Sequence, residues 1–90
     1  MHISHITKRD FSTQTFDLNK ITNAILKAMT AIDHGQINDA QNIASNVEKP
    51  LLERKNMDEH YVPTVAEVQD VVGNELMNSE FPDVAEAYNI

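Results

Sequence analysis

The sequence predicts an α+β fold, a short N-terminal hairpin feeding four helices. Three observations carry this. β-branched residues cluster in the first sixteen positions, apolar residues then recur at three- and four-residue spacing, and helix-start signals stand at Asp17, Thr64 and Pro82. Ninety residues make one small domain. The last helical pattern stops at Ile90 after about two turns, which is short for an isolated helix. The expectation is therefore a single domain over 1–90 cut from a longer chain.

His2 to Lys8 reads as a strand on the strength of Ile3, Ile6 and Thr7, and Thr13 to Phe16 reads as its partner. Strand alternation puts Thr13 and Thr15 on one side, Gln14 and Phe16 on the other. Phe11 stands in the turn where glycine would be usual. A bulky residue held at positive φ costs about 1–2 kcal/mol, so a turn of another type, or a longer one, is expected. Asp17 caps a helix whose inner face is Leu18, Ile21, Ala24/Ile25, Ala28/Met29 and Ile32, with Gly35 expected to end it. A second helix is expected from Asn38, with Gln41 three residues on and an inner face of Ala40, Ile43/Ala44, Val47 and Leu51. Pro50 falls inside that period and predicts a kink or a split. Arg54 to His60 reads as a loop, and Tyr61 and Val62 as a third short strand. Thr64-x-x-Glu67 is a capping box opening a third helix with Val65, Val68, Val72 and Leu76 inward. Pro82 suits the first turn of the fourth, with Phe81, Val84/Ala85 and Tyr88 facing in.

The net charge of −7 disfavours a nucleic-acid partner, which asks for a basic face. The charge is unevenly spread. Residues 1–27 carry Lys8, Arg9, Lys20 and Lys27 against Asp10 and Asp17, a balance of +2, whereas residues 28–90 balance at −9. A basic first third in an acidic chain points to a small anion. With no cysteine, disulfides, cysteine-based zinc sites and thiol chemistry drop out. No stretch reads as a membrane span or a signal peptide, so a cytoplasmic location without membrane association is expected by default.

Catalytic constellations are missing. His2 and His5 fall on opposite faces of a strand, His34 and His60 lie in loops without a partner at ligand spacing, and no metal site is expected. No Gly-x-Ser-x-Gly and no Walker-type loop occur. The chain by itself is not expected to be an enzyme. One constellation survives. Lys8 and Arg9 at the strand end and Lys20 in the first helical turn can converge on a triphosphate, aided by the free N–H groups of the helix start. Gln14 and Asp17 can hydrogen-bond a base edge, with Ile6, Ile21 and Ile25 as its apolar slot. The competing reading is an ordinary hairpin whose charges face water, on a helical module that docks a partner and binds no nucleotide. Spacing alone leaves both standing.

The residues Thr7-Lys8-Arg9-Asp10, Phe16-Asp17, Lys20-Ile21, Ala24-Ile25 and Lys27-Ala28 resemble the opening motif of the ATP-cone domain. Val65-Ala66-Glu67-Val68-Gln69-Asp70-Val71-Val72, Leu76-Met77, Phe81 and Val84 to Tyr88 resemble its closing motif. This resemblance implies a four-helix bundle capped by a small three-stranded sheet, the hairpin plus one short strand. It also implies ATP or dATP, with Mg2+, bound beneath the hairpin. Lys8, Arg9 and Lys20 would hold phosphates, Gln14 and Asp17 would read adenine, and Gln69 would face the nucleotide. In that family the domain sits mostly at the N-terminus of ribonucleotide reductases as an overall-activity switch, ATP keeping the enzyme on and dATP turning it off through subunit association. The expected partners are thus an adenine nucleotide, the rest of a reductase chain and a further copy of the enzyme. The flavour of the second helix resembles the anaerobic, triphosphate-reducing class. Three departures stand out: Phe11 for glycine, Val65 for a hydroxyl residue, and an end at Ile90 before the basic residues that usually follow.

Overall fold

The computed structural model describes residues 3–88, so the expected strand residue His2 and the chain end at Ile90 lie outside the described residues. Strands β1 (His5–Thr7) and β2 (Thr13–Thr15) pair antiparallel, with His5 opposite Thr15, Ile6 opposite Gln14 and Thr7 opposite Thr13. Helices α1 (Leu18–Ala31), α2 (Ile37–Met57), α3 (Val65–Met77) and α4 (Pro82–Tyr88) follow. α1 packs on α2 and α4, and α3 packs on the same two, which closes the helices into a ring around one core. Ile25, Met29, Val47, Leu51, Val72, Leu76 and Val84 fill its centre. Ile3 and Ile6 drop from the hairpin into the same cluster.

The hairpin turn differs from expectation. The Phe11 N–H donates to the Lys8 carbonyl at 3.0 Å and the Lys8 N–H to the Ser12 carbonyl at 2.8 Å. Phe11 itself sits at φ 69° and is 89 % exposed. This is a three-residue loop closed by a bulge whose last position favours glycine, and Phe11 occupies it despite the strain. Asp10 braces the loop by accepting from both the N–H and the hydroxyl of Ser12.

The expected third strand is not formed. The Thr7 N–H donates to the Pro63 carbonyl at 2.9 Å, and the contact amounts to one parallel bridge between Thr7 and Thr64. Pro63 has no N–H to continue a ladder, Tyr61 folds back onto the Asp58 carbonyl, and Thr64 is already committed as the α3 N-cap. The sheet therefore has two strands among the described residues.

Helix ends also depart from the simplest reading. α1 stops because Asp33, at φ 55°, takes the left-handed position, with the Asp33 N–H on the Thr30 carbonyl and the His34 N–H on the Met29 carbonyl. Gly35, expected in that role, serves another. At φ 105° a Cβ there would lie 2.5 Å from Met29 Sδ, so glycine lets the chain pass over a fully buried methionine. α2 starts one residue early at Ile37, where Asp39 accepts from the Gln36 N–H at 2.9 Å. It runs unbroken through Pro50. A mid-helix proline costs about 3 kcal/mol, while burying a valine or leucine contributes about 1.5–3 kcal/mol each. Val47 and Leu51, both fully buried beside Pro50, offset the penalty.

α2 also absorbs Arg54 to Met57, read from sequence as loop. Arg54 Nη1 lies 2.8 Å from Glu67 Oε2, which also accepts from the Tyr61 hydroxyl at 2.7 Å, while Glu67 Oε1 caps the Thr64 N–H. Partial burial pushes the Glu67 carboxyl up, but the Tyr61 hydroxyl, the Thr64 backbone and Arg54 together hold it below the usual carboxylate range.

Two outcomes follow. Gly35→Ala should destabilise the domain by about 2 kcal/mol through strain and the Met29 contact, read as a lower urea midpoint at unchanged slope. An unmoved midpoint would contradict this account of Gly35. For Glu67, a folded-state value below the unfolded one gives a contribution that is complete at neutral pH and lost as pH falls through the folded value. The stability gap between the native chain and Glu67→Gln should thus be open at neutral pH and close in acid, below the folded value. An equal gap at both would show that the carboxylate charge is not what ties α2 to α3.

Candidate functional site

The bridge at Thr7 sets the hairpin over the N-terminal half of α3. Lys8, Arg9, Asp10 and Gln14 from the hairpin then face Val65 and Gln69 across a cleft of about 390 Å³. Val65 and Gln69 are one helical turn apart and share a face of α3. Beside it lies a smaller slot of about 80 Å³ walled by Ile6, Phe16, Ile21 and Val68, with Gln14, Asp17 and Lys20 among its polar lining. Gln14 borders both spaces, so cleft and slot are adjacent parts of one depression beneath the sheet.

Each end has a distinct chemistry. Among the described residues, the side chains of Lys8, Arg9 and Lys20 make no hydrogen bond or ion pair. All three are exposed, so their donors point to solvent and are available to an anion. Asp10 lies among them, and its carboxyl is held low by the Ser12 hydroxyl and N–H, with Lys8 adding to the effect. The slot is apolar on Ile6, Phe16, Ile21 and Val68. Asp17 is partly engaged: Oδ1 accepts from the Asn19 N–H at 2.9 Å and caps α1, and its second oxygen remains for another donor.

Seven of the eight residues expected at a nucleotide site line this depression: Lys8, Arg9, Gln14 and Gln69 in the cleft, and Gln14, Asp17, Lys20 and Ile21 in the slot. Ile25 does not. It is 0 % exposed in the helical core, four residues and about 6 Å farther along α1 than Ile21. The sequence reading passed over Phe16 and Val68 as slot walls. Phe16 was legible, since alternation sets it on the Gln14 side of its strand; Val68 was assigned to the core alone.

Other polar groups look structural. His34 Nδ1 sits 2.9 Å from the Asp83 carboxylate and its ring tilts against Phe81 at 4.7 Å, tying the α1–α2 connection to the start of α4. His34 thus has a partner that spacing along the chain did not suggest. Among the described residues no three His, Asp or Glu side chains gather as a metal site, and no helix is long and apolar enough to cross a membrane.

The family described as the ATP cone domain matches residues 4–90 of the chain. The chain is 38 % identical over 91 aligned residues to a vitamin B12-dependent ribonucleoside-diphosphate reductase of Thermoplasma acidophilum, covering 96 % of the chain. It is 30 % identical over 83 residues to an anaerobic ribonucleoside-triphosphate reductase of Haemophilus influenzae, covering 92 % of the chain. The chain spans 11 % of the length of each. With the family matched across hairpin, bundle and depression alike, this chain belongs to the ATP-cone family.

Proposed function

We propose that the depression under the hairpin binds ATP or dATP and that the domain regulates the overall activity of a ribonucleotide reductase. The observation that carries the reading is the pairing of unpartnered Lys8 and Arg9 with an adjoining apolar slot, joined at Gln14. A triphosphate supplies the anion that the cations lack, and a purine supplies the flat apolar group that suits the slot. Lys8 and Arg9 take the phosphates, Lys20 adds charge from the first turn of α1, and Gln14 with the free oxygen of Asp17 reads the base edge. Ile21 lies against the ring face; Ile25 supports Ile21 from the core. Gln69 approaches from α3 and completes the far wall. Mg2+ fits as a rider on the phosphates, since Asp10 is the carboxylate among the cleft residues and Mg2+ needs few protein ligands beside phosphate oxygens.

The two relatives belong to different reductase classes, one reducing diphosphates and one triphosphates, so the reading attaches to the domain and to reductases as a group. Its partners are then the remainder of a reductase chain and a further copy of that enzyme, in the cytoplasm. Switching requires that ATP and dATP differ in affinity for two states of the assembly. They differ by one hydroxyl. A tenfold preference needs about 1.4 kcal/mol, within reach of a single well-placed hydrogen bond.

Titration calorimetry of the chain with Mg-ATP and Mg-dATP tests the binding. Saturable heat is expected with both nucleotides, and Lys8→Ala or Lys20→Ala should each weaken affinity by about tenfold, the scale of a charge-assisted hydrogen bond. The helical circular dichroism should stay intact. Absence of heat from the folded chain at millimolar nucleotide would instead favour a module that docks a protein partner.

A further inference from the structure

Phe11 is a large apolar ring held almost wholly in solvent, at the tip of the hairpin, in a backbone conformation suited to glycine. The ring borders a recess of about 230 Å³ that Val65 and Ala66 at the start of α3 also line. The hydroxyl residues Thr7 and Thr64 also border this recess. Lys8, Arg9 and Val65 border both it and the larger cleft, so the two spaces meet along the pair of cations.

Three spaces therefore follow one another under and beyond the hairpin. An apolar slot and a cationic cleft share Gln14 as a border, and that cleft shares Lys8 and Arg9 with a recess that Phe11 lines. A mononucleotide uses the first two and stops. The third suits a flat, weakly polar ring attached to the distal end of the same phosphate chain. We infer that the domain has a second base subsite on Phe11 and takes dinucleoside polyphosphates, two purine nucleosides joined through a run of phosphates. The inference rests on the nucleotide reading of the first two spaces.

The physical gain is specific. Lys8 and Arg9 hold the tether, which brings the second base to Phe11 without a separate cost of association. Stacking a base on an exposed aromatic ring strengthens binding by about tenfold to a hundredfold. Val65 and Ala66 add apolar surface to the same recess, and the Thr7 hydroxyl can satisfy a polar edge of the base.

The test compares ATP, adenosine 5′-tetraphosphate and diadenosine tetraphosphate by calorimetry on the native chain, on Phe11→Tyr and on Phe11→Gly. The two tetraphosphates separate the effect of one more phosphate from that of a second base. The native chain should bind diadenosine tetraphosphate at least about tenfold more tightly than adenosine tetraphosphate. Phe11→Tyr should keep that margin. Phe11→Gly, which suits the turn and should fold at least as well, should erase it while leaving ATP affinity within about twofold. Equal binding of the two tetraphosphates by the native chain would overturn the second subsite. So would a Phe11→Gly variant that loses ATP and the diadenosine compound in equal measure, since the residue would then act through hairpin geometry. Failure of all three ligands would overturn the nucleotide reading itself, along with this one.

Discussion

The hydrogen bond from the Thr7 N–H to the Pro63 carbonyl is the contact on which the site depends. It joins the end of β1 to the residue before the α3 cap and so fixes where the hairpin lies over the bundle. Displacing that bond would carry Lys8 and Arg9 away from Val65 and Gln69, and the cleft would open to bulk solvent. A single bridge is enough because Ile3 and Ile6, buried below it, supply the apolar anchor. Hydrogen bond and burial act on the same strand, one setting register and the other depth.

The domain divides into a well-held part and a lightly held part. The helices share a dense core, and the start of α3 is tied to the end of α2 through the Arg54, Tyr61 and Glu67 group. The hairpin has two three-residue strands and presents mostly exposed side chains. Segments with few buried contacts open locally at low free energy. A ligand bridging the hairpin cations and the bundle would raise that local stability, and the ordering of the hairpin would report occupancy to whatever the domain touches. Such a coupling needs no movement within the helical core.

Much of this was legible in the sequence because the relevant signals are local. Asp17 and Thr64-x-x-Glu67 mark helix starts through hydrogen bonds made within one turn, and both form. Gln14, Asp17, Lys20 and Ile21 come together because alternation on β2 and turn spacing at the start of α1 aim them toward one side. What was not legible depends on contacts distant in sequence or on local penalties overcome elsewhere. Pro50 is tolerated because Val47 and Leu51 are buried against other helices. Phe11 adopts a glycine-like conformation because the Asp10–Ser12 bonds and the strand pairing fix the loop around it. Asp33, and not Gly35, ends α1, while Gly35 answers to Met29 packing. His34 finds Asp83 forty-nine residues away. Tyr61 and Val62 have strand-forming residue types, but Pro63 and the α3 cap leave no room for a ladder.

The central claim is that cations from the hairpin and from the start of α1 grip the phosphates of one adenine nucleotide while α3 closes the far side. Amide hydrogen exchange with and without saturating Mg-ATP tests it most directly, because it reports on each element separately. The account predicts slowed exchange in the hairpin over 6–16, in the first turn of α1 and in the first turn of α3, with the middle of α2 unchanged. Slowing confined to the α3–α4 side around Asn74 and Glu86, with the hairpin exchanging as fast as in the free chain, would contradict it.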